Sequence, residues 1–183
     1  SVTASSAGAA PTFTPDPNAA LAGDAMAALG QSTPATPEAI RAGLVARGLP
    51  EHVADGFVMN FKDESGLDPG INEIAPIVPG SRGGFGLYQL TGPRRRAYEA
   101  YVAERGLPVD SVDAQLDFLM MEMQGPESRA AQAILSTKDA GQAGAAIVNE
   151  FLRPLPEYAA KRAARYTGGQ GYTGGGMSDA GAP

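Results

Sequence analysis

The chain reads NFKDESGLDPG at residues 60–70 and GGFGLYQL at residues 83–90. Phe61 of the first segment follows Phe57 by four residues, a spacing typical of a helix with one buried face. Ser65-Gly66 favours the end of that helix. The second segment is rich in glycine and polar residues, which favours a loop. Together the segments predict an amphipathic helix that runs into a Gly-rich loop.

Glu64 follows Phe61 by three residues and therefore shares the apolar face of the predicted helix, at its last turn. A carboxyl group on that face is partly withdrawn from water, which favours the protonated form that a general acid needs. The alternative is an ordinary polar residue at a helix end. We interpret Glu64 as a candidate general acid that protonates a glycosidic oxygen.

The loop after Glu64 offers groups that can contact a ligand. Gly83, Gly84 and Gly86 allow the backbone to approach a bound chain closely, and their N–H and C=O groups can pair with sugar hydroxyl or N-acetyl groups. Tyr88 and Gln89 add a flat apolar ring and an amide. The alternative is a flexible turn without a ligand. We interpret the loop as one wall of a sugar-binding groove.

Helical patterns occupy the rest of the central chain. Thr36-Pro37-Glu38 combines a capping hydroxyl, a proline at the first helical position and an acid in the first turn, so it predicts a helix start. Residues 66–92 predict a loop with, at most, a short β-hairpin. Further helices are predicted at residues 93–105, 111–123, 127–136, 139–152 and 156–166. The fold class is mainly α, with a long Gly-rich loop or small β-hairpin in its first half.

Composition divides the chain into three parts. Residues 1–35 are rich in Ala, Pro and Ser and predict a linker or arm. Residues 167–183 are Gly-rich and predict a flexible tail. Residues 36–166 are the predicted folded domain. Linkers on both sides indicate a module within a larger protein or assembly.

Charge and composition disfavour several classes of function. The net charge of −6 disfavours nucleic-acid binding, and no apolar run approaches the ~18 residues of a membrane span. The chain has no cysteine and one histidine, His52, which disfavours zinc sites and Ser-His-Asp triads; no metal or other cofactor is predicted. Two basic clusters are interpreted as solvated helix faces rather than ligand clamps: Arg94, Arg95 and Arg96, and Lys161, Arg162 and Arg165.

Three segments occur in a particular order: ESGLDP at 64–69, GGFGLYQLTGPR at 83–94, and FLRP at 151–154 with Arg162 behind it. They resemble the E-S-G-L-N-P, G-x-x-G-L-x-Q-W-T-x-x-R and F-E-R-P motifs of the phage tail lysozyme family. The wider resemblance is to the lysozyme-like superfamily, which includes soluble lytic transglycosylases. The resemblance implies a helical lysozyme-like domain with Glu64 as the catalytic acid.

The resemblance also implies a substrate and a place of action. The expected substrate is the glycan strands of peptidoglycan, and the following residues are expected to bind it: Ser65, Gly86, Leu87, Tyr88 and Gln89. Such domains belong to phage tails or phage-like particles, next to tail hub or baseplate proteins. They open the wall locally for DNA entry, so the expected location is the virion tail, acting at the host cell wall or periplasm.

The chain departs from the family pattern at three positions. Asp68 replaces an asparagine, Leu90 replaces a tryptophan and Leu152 replaces an acid. Loss of the tryptophan predicts weaker sugar stacking. Loss of the acid predicts that the arginines of the loop lack one carboxylate partner.

The chemistry stays open between several alternatives. Hydrolysis of the β-1,4 bond is our first choice, and it needs a second carboxylate, for which Asp68 and Glu73 are the nearest candidates. A lytic transglycosylase needs only one acid, because a hydroxyl of the substrate attacks. The runner-up, from a different class of function, is a non-catalytic structural or glycan-binding module of a tail hub or baseplate. An endopeptidase is disfavoured, since the chain lacks the cysteine nucleophile and zinc ligands that such enzymes use.

Overall fold

The computed structural model describes residues 34–73 and 80–168. The mainly α prediction is confirmed, and no strand is found within these two ranges. The predicted arm and tail fall almost entirely outside them, so both stay predictions. The helical elements are α1 (Pro37–Ala46), α2 (Glu51–Ser65), α3 (Gly92–Arg105), α4 (Val112–Gln124), α5 (Ser128–Leu135), α6 (Ala140–Ala146), a π-helical segment (Ile147–Leu152) and α7 (Pro156–Thr167).

Helix α1 begins where its capping signal predicts. The side chain of Thr36 accepts a hydrogen bond from the backbone N–H of Ala39 at 3.1 Å, and proline follows at the first helical position. The chain then turns at Gly48, whose φ of 98° suits a residue without a Cβ atom. This turn leads α1 directly into α2, against which it packs.

Helix α2 forms the centre of the core, and Phe57 and Phe61 on it are fully buried. A Cβ atom at Gly56 would lie 2.7 Å from the backbone nitrogen of Gly144, so glycine allows α2 and α6 to approach closely. The side-chain amide of Asn60 donates to the carbonyl oxygens of Gly56 and Gly144 at 2.9 and 3.0 Å. These contacts fix the direction of α2 and therefore the position of its last turn.

The single helix predicted at residues 139–152 is divided into α6 and the π-helical segment. Phe151 of that segment is buried edge-on against Phe57, with ring centroids 5.8 Å apart. The carbonyl oxygens at a helix end lack partners within the helix. Here Arg94 supplies one, because its Nη1 donates to the carbonyl oxygen of Phe151 at 2.9 Å.

Helix α7 runs antiparallel to the second half of α2. The hydroxyl of Tyr166 donates to the carbonyl oxygen of Met59 at 3.1 Å. Farther along α2, Glu64 is paired with Arg162, which lies earlier on α7. Contacts that advance along α2 therefore go back along α7.

The described parts of the region between α2 and α3, residues 66–73 and 80–91, are loop, as predicted, and show only isolated β-pairings. Phe85 forms isolated bridges with Asn72 and with Leu90. The backbone N–H of Glu73 donates to the carbonyl oxygen of Gly84 at 2.8 Å. Residues 71–73 therefore lie directly against the Gly-rich segment.

Candidate active site

Glu64 lies at the last turn of α2, at the edge of the buried face, as the spacing from Phe61 predicts. The helix ends at Gly66 in the left-handed conformation (φ 60°). The side chain of Glu64 is 16 % exposed. The structure therefore holds this carboxyl group at a rim, between the core and the solvent.

Arg162 of α7 is the partner of this carboxyl group. Its Nη1 donates to Oε1 of Glu64 at 2.6 Å, and its own side chain is only 15 % exposed. The interpretation of Arg162 as part of a solvated face is wrong, because the packing of α7 on α6 and the π-helical segment turns it towards Glu64. The signals in the sequence were its position behind the FLRP motif and its charge, opposite to that of Glu64.

The neighbouring acid, Asp63, has further partners on α7. It accepts hydrogen bonds from Arg165 and from the hydroxyl of Tyr166, and its Oδ2 also lies 4.0 Å from Nε of Arg162. Burial and the hydrogen bond to Asp63 raise the pKa of Tyr166, so this hydroxyl remains a donor. Asp63 therefore anchors α7, while Glu64 points to the rim.

Ser65 fastens the Gly-rich loop to the end of α2. Its buried Oγ lies 3.0 Å from the carbonyl oxygen of Phe61 and 2.8 Å from that of Leu87, and as a donor it can bond either. The side chain of Ser65 therefore acts on the loop backbone. Its predicted role in substrate binding stays a prediction.

Gln115 of α4 holds the same loop from the other side. Its Oε1 accepts from the backbone N–H of Leu87 at 2.8 Å, and its Nε2 donates to the carbonyl oxygen of Pro69 at 2.7 Å. A Cβ atom at Gly86 would lie 2.6 Å from that Oε1, and the φ of Gly86 is 81°. Gly86 is thus required by the close approach of Gln115, and the fully buried Leu87 side chain packs into the core.

The ring of Tyr88 is part of the core. It is 3 % exposed and stacks on Phe61, with ring centroids 5.8 Å apart and planes inclined by 21°. Its hydroxyl donates to Oε1 of Glu122 at 2.8 Å. Burial and the charge of Glu122 raise the pKa of Tyr88 well above its ordinary value. The flat face expected to meet a ligand is therefore turned inward.

Gln89 is the half-buried member of the predicted binding set. Its φ of 53° is unusual for a residue with a side chain. Its Nε2 donates to the carbonyl oxygen of Gly86 at 3.0 Å. Its side chain also fills the space where a Cβ atom at Gly84 would lie, at 2.7–2.8 Å. Gln89 therefore fixes the shape of the loop and keeps its amide close to the surface.

Arg94 and Glu122 form a second acid–base pair beneath the loop. Nε of Arg94 lies 2.7 Å from Oε2 of Glu122, which is 3 % exposed, and the guanidinium lies 4.6 Å from the ring centroid of Phe151. Arg94 therefore has a carboxylate partner in Glu122, although Leu152 replaces the acid of the family motif. The solvated-face interpretation is also wrong for Arg94.

Arg95 and Leu90 also support the loop from within. Nη1 of Arg95 donates to the carbonyl oxygens of Arg82 and Gly83 at 3.1 and 3.0 Å. The arginine is buried, so it too departs from the solvated-face interpretation. Leu90 is 2 % exposed. Position 90 therefore packs in the core, where no sugar ring reaches it.

The two candidates for a second carboxylate differ in exposure. Asp68 is half-buried, and its Oδ1 accepts from the backbone N–H of Gly70 at 2.9 Å. Glu73 is exposed, and its Oε2 accepts from the backbone N–H of Gly84 at 3.1 Å. Glu73 is thus a solvent-facing carboxylate tied to the Gly-rich loop.

Comparison with known proteins fits this geometry. The model of the phage tail lysozyme family matches residues 35–173, which is more than half of the chain. The chain belongs to the phage tail lysozyme family. No curated protein matches the chain. Membership confirms the resemblance seen in the motifs around Glu64 and Gln89.

Membership in the phage tail lysozyme family indicates the general kind of activity. It points to a phage-associated, lysozyme-like function, with glycosidase activity in general and peptidoglycan as the substrate. It also points to the phage tail as the location. No helix in the described ranges is long and apolar enough to cross a membrane. Within residues 34–73 and 80–168, no group of three or more His, Asp or Glu side chains could hold a metal ion.

Proposed function

We propose that this protein is a peptidoglycan muramidase of a phage tail or phage-like particle, with Glu64 as the general acid for cleavage of the β-1,4 glycan bond. The observation that supports it best is the position of Glu64, a carboxyl group at the rim of the core beside a loop fastened by Ser65. A general acid needs this combination of limited solvent access and reach towards the substrate. The proposal includes a place beside tail hub or baseplate proteins and local opening of the wall for DNA entry.

The proposed proton transfer uses the two oxygens of Glu64 differently. Arg162 contacts Oε1, so Oε2 is the oxygen from which the proton passes to the glycosidic oxygen. The bond between that oxygen and the anomeric carbon breaks, and the oxygen leaves as a hydroxyl group of the next sugar. The guanidinium of Arg162 then faces the carboxylate that remains, in a charge-assisted hydrogen bond.

Hydrolysis also needs a group that acts on water or on the anomeric carbon. We assign this role to Glu73 rather than Asp68, because Glu73 is exposed and is fixed to the loop by the N–H of Gly84. A water-activating carboxylate stands roughly 6.5–9.5 Å from the acid, and a nucleophilic one roughly 5–5.5 Å. If Glu73 is not needed, attack by a hydroxyl of the substrate, as in lytic transglycosylases, becomes the better mechanism.

A non-catalytic, glycan-binding or structural module of the tail is the second candidate. The observation that favours it is the ion pair of Glu64 with Arg162, since an acid held by an arginine can serve purely to fasten α7 to α2. Under this alternative, the Gly-rich loop retains its shape and binds glycan or neighbouring subunits without cleavage.

Clearing of purified peptidoglycan by the wild type and by Glu64→Gln tests the proposal. Glu51→Gln is a matched control, because Glu51 is an exposed carboxylate in the first turn of the same helix. Clearing by the wild type and Glu51→Gln, with loss in Glu64→Gln, supports the muramidase. Clearing that persists in Glu64→Gln contradicts the role of Glu64, and no clearing by any form supports the structural module.

The released fragments then identify the reaction. Mass spectrometry of the fragments distinguishes the two reactions: reducing ends indicate hydrolysis, whereas 1,6-anhydro ends indicate transglycosylation. Glu73→Gln separates the two further: it abolishes hydrolysis if Glu73 acts in that step, and it leaves transglycosylation largely intact. Asp68→Asn serves as the comparison, because the asparagine retains an oxygen that can accept from Gly70.

A further inference from the structure

A site that binds glycan strands uses flat apolar surfaces, because the apolar face of a sugar ring packs well on an aromatic ring. The two positions expected to serve this purpose do not reach the surface, since Tyr88 and Leu90 are both buried. The aromatic surface of the groove must therefore come from elsewhere in the chain.

Tyr158 is the most exposed aromatic side chain among the described residues, at 53 %. The two half-buried aromatic rings outside the core are both covered by arginines. The guanidinium of Arg95 lies 5.3 Å from the ring centroid of Phe85, and that of Arg105 lies 3.8 Å from the ring centroid of Tyr101. Unlike Phe85 and Tyr101, Tyr158 exposes its ring to the solvent.

Helix geometry places Tyr158 next to Arg162, the partner of the candidate acid. Tyr158 precedes Arg162 by four residues on α7, so the Cβ atoms of the two lie roughly 5–6 Å apart on one side of the helix. Arg162 is in direct contact with Glu64. Contacts that advance along α2 go back along α7. Tyr158 is therefore expected on the side of Arg162 that faces the end of α2, where the chain enters the loop region.

The side-chain direction agrees with this placement. Long side chains on a helix lean towards its N-terminus, so the ring of Tyr158 covers the first turn of α7 rather than the Glu64–Arg162 pair. The backbone there is fixed, because the N–H of Tyr158 donates to the carbonyl oxygen of Leu155 at 2.9 Å. The ring therefore leans away from the Glu64–Arg162 pair and leaves Glu64 uncovered.

We propose that Tyr158 is a sugar-stacking residue, which forms a subsite for one ring of the glycan strand next to the ring whose bond Glu64 cleaves. The inference rests on the proposed function, since it places the glycan strand along the rim between α7 and the end of α2. It assigns the aromatic role of the groove to α7, in place of the loop position that Leu90 occupies.

Steady-state cleavage of soluble peptidoglycan fragments tests the subsite, with the wild type compared with Tyr158→Ala, Tyr158→Phe and Leu135→Ala. Leu135 is a matched control, because it is a similarly exposed apolar residue on α5. Tyr158→Ala should raise KM by roughly 3- to 10-fold with a smaller change in kcat, which is the scale of one aromatic face contact. Tyr158→Phe should keep the wild-type KM, because stacking needs the ring and not the hydroxyl.

Binding of a soluble N-acetylglucosamine oligomer, measured calorimetrically in the Glu64→Gln background, separates this inference from the proposed function. The double variant with Glu64→Gln and Tyr158→Ala should bind the oligomer more weakly than Glu64→Gln alone, whereas the double variant with Leu135→Ala should not. This result supports the subsite even if no form of the protein cleaves. Unchanged KM and unchanged oligomer binding in Tyr158→Ala overturn the subsite and leave the muramidase intact. The absence of any oligomer binding overturns it as well.

Discussion

Two carboxylate–guanidinium pairs, Glu122 with Arg94 and Glu64 with Arg162, differ in how completely they are enclosed. Glu122 is 3 % exposed and accepts hydrogen bonds from both Arg94 and the hydroxyl of Tyr88. Glu64 is 16 % exposed and accepts one from Arg162. The first carboxylate has its acceptor sites filled by the core, whereas the second keeps an oxygen for other partners.

The difference indicates that the fold uses one acid to stabilise the structure and keeps the other accessible for a reaction. A buried charge is tolerated only when hydrogen bonds replace the water that it lost. Glu122 meets this requirement and, through Tyr88 and Arg94, holds the loop against Phe151. Glu64 stays at the rim, where a substrate can displace the solvent around its carboxyl group. Removal of each acid should therefore affect a different property.

The largest expected effect is the loss of activity in Glu64→Gln. If Glu64 is the general acid, the rate of peptidoglycan clearing falls by roughly 100- to 10,000-fold. Stability should change by only about 1 kcal/mol, because the glutamine amide oxygen can still accept from Arg162. Turbidity assays and urea unfolding measure the two properties. A large loss of stability with residual activity would reverse the comparison.

Removal of the buried acid should act mainly on stability. Glu122→Ala leaves Arg94 and the Tyr88 hydroxyl without their carboxylate, so the free energy of unfolding should fall by about 3 kcal/mol. Urea unfolding monitored by circular dichroism measures this change. A loss of about 0.5 kcal/mol or less would show that the enclosed pair contributes no more than an exposed one.

Removal of Arg162 tests what the rim pair does for Glu64. In Arg162→Ala the carboxyl group loses the contact that orients it, so kcat should fall by roughly tenfold with little change in KM. Arg162→Lys should recover part of the rate, because lysine keeps the charge but not the planar fork. A higher kcat in Arg162→Ala would instead show that the arginine inhibits proton transfer from Glu64.

The smallest effect is expected at a third, more exposed pair, Glu127 with Arg153. The hydrogen bonds from Arg153 lower the pKa of Glu127. The pair therefore stabilises the fold above the unfolded-state pKa of about 4.3, and this contribution is lost as the pH falls through the lower folded-state value. Glu127→Gln should cost about 0.5 kcal/mol at neutral pH.

The pH dependence supplies the control for this third pair. The difference in unfolding free energy between the wild type and Glu127→Gln should shrink as the pH is lowered from about 7 to about 3. Urea titrations at the two pH values measure it. A difference that grows in acid would show that Glu127 contributes through something other than its charge.

The positions of the helices could be predicted from the sequence because their signals are local. Thr36 caps α1 where predicted, and the spacing of Phe57 and Phe61 places α2 correctly. The π-helical segment could not be predicted, because it depends on the packing of Phe151 against Phe57 and on the contact with Arg94, which are distant in the sequence.

The candidate site was only partly predictable for the same reason. Periodicity placed Glu64 at the edge of the core, since helical spacing fixes the face on which a residue lies. It gave no direction for Tyr88, because a Gly-rich loop has no such periodicity. The ring of Tyr88 turns inward because Phe61 and Glu122 together offer an apolar face and an acceptor.

The sequence by itself therefore determined the helical class, the family and the acid at the end of α2, all of which rest on short-range spacing and motifs. Only the tertiary structure decided the partners of that acid. The packing of α7 on α6 and the π-helical segment brings Arg162 to Glu64 and leaves Tyr158 exposed. The physical reason is that ion pairs and burial depend on which helix faces meet, and that is a property of the assembled core.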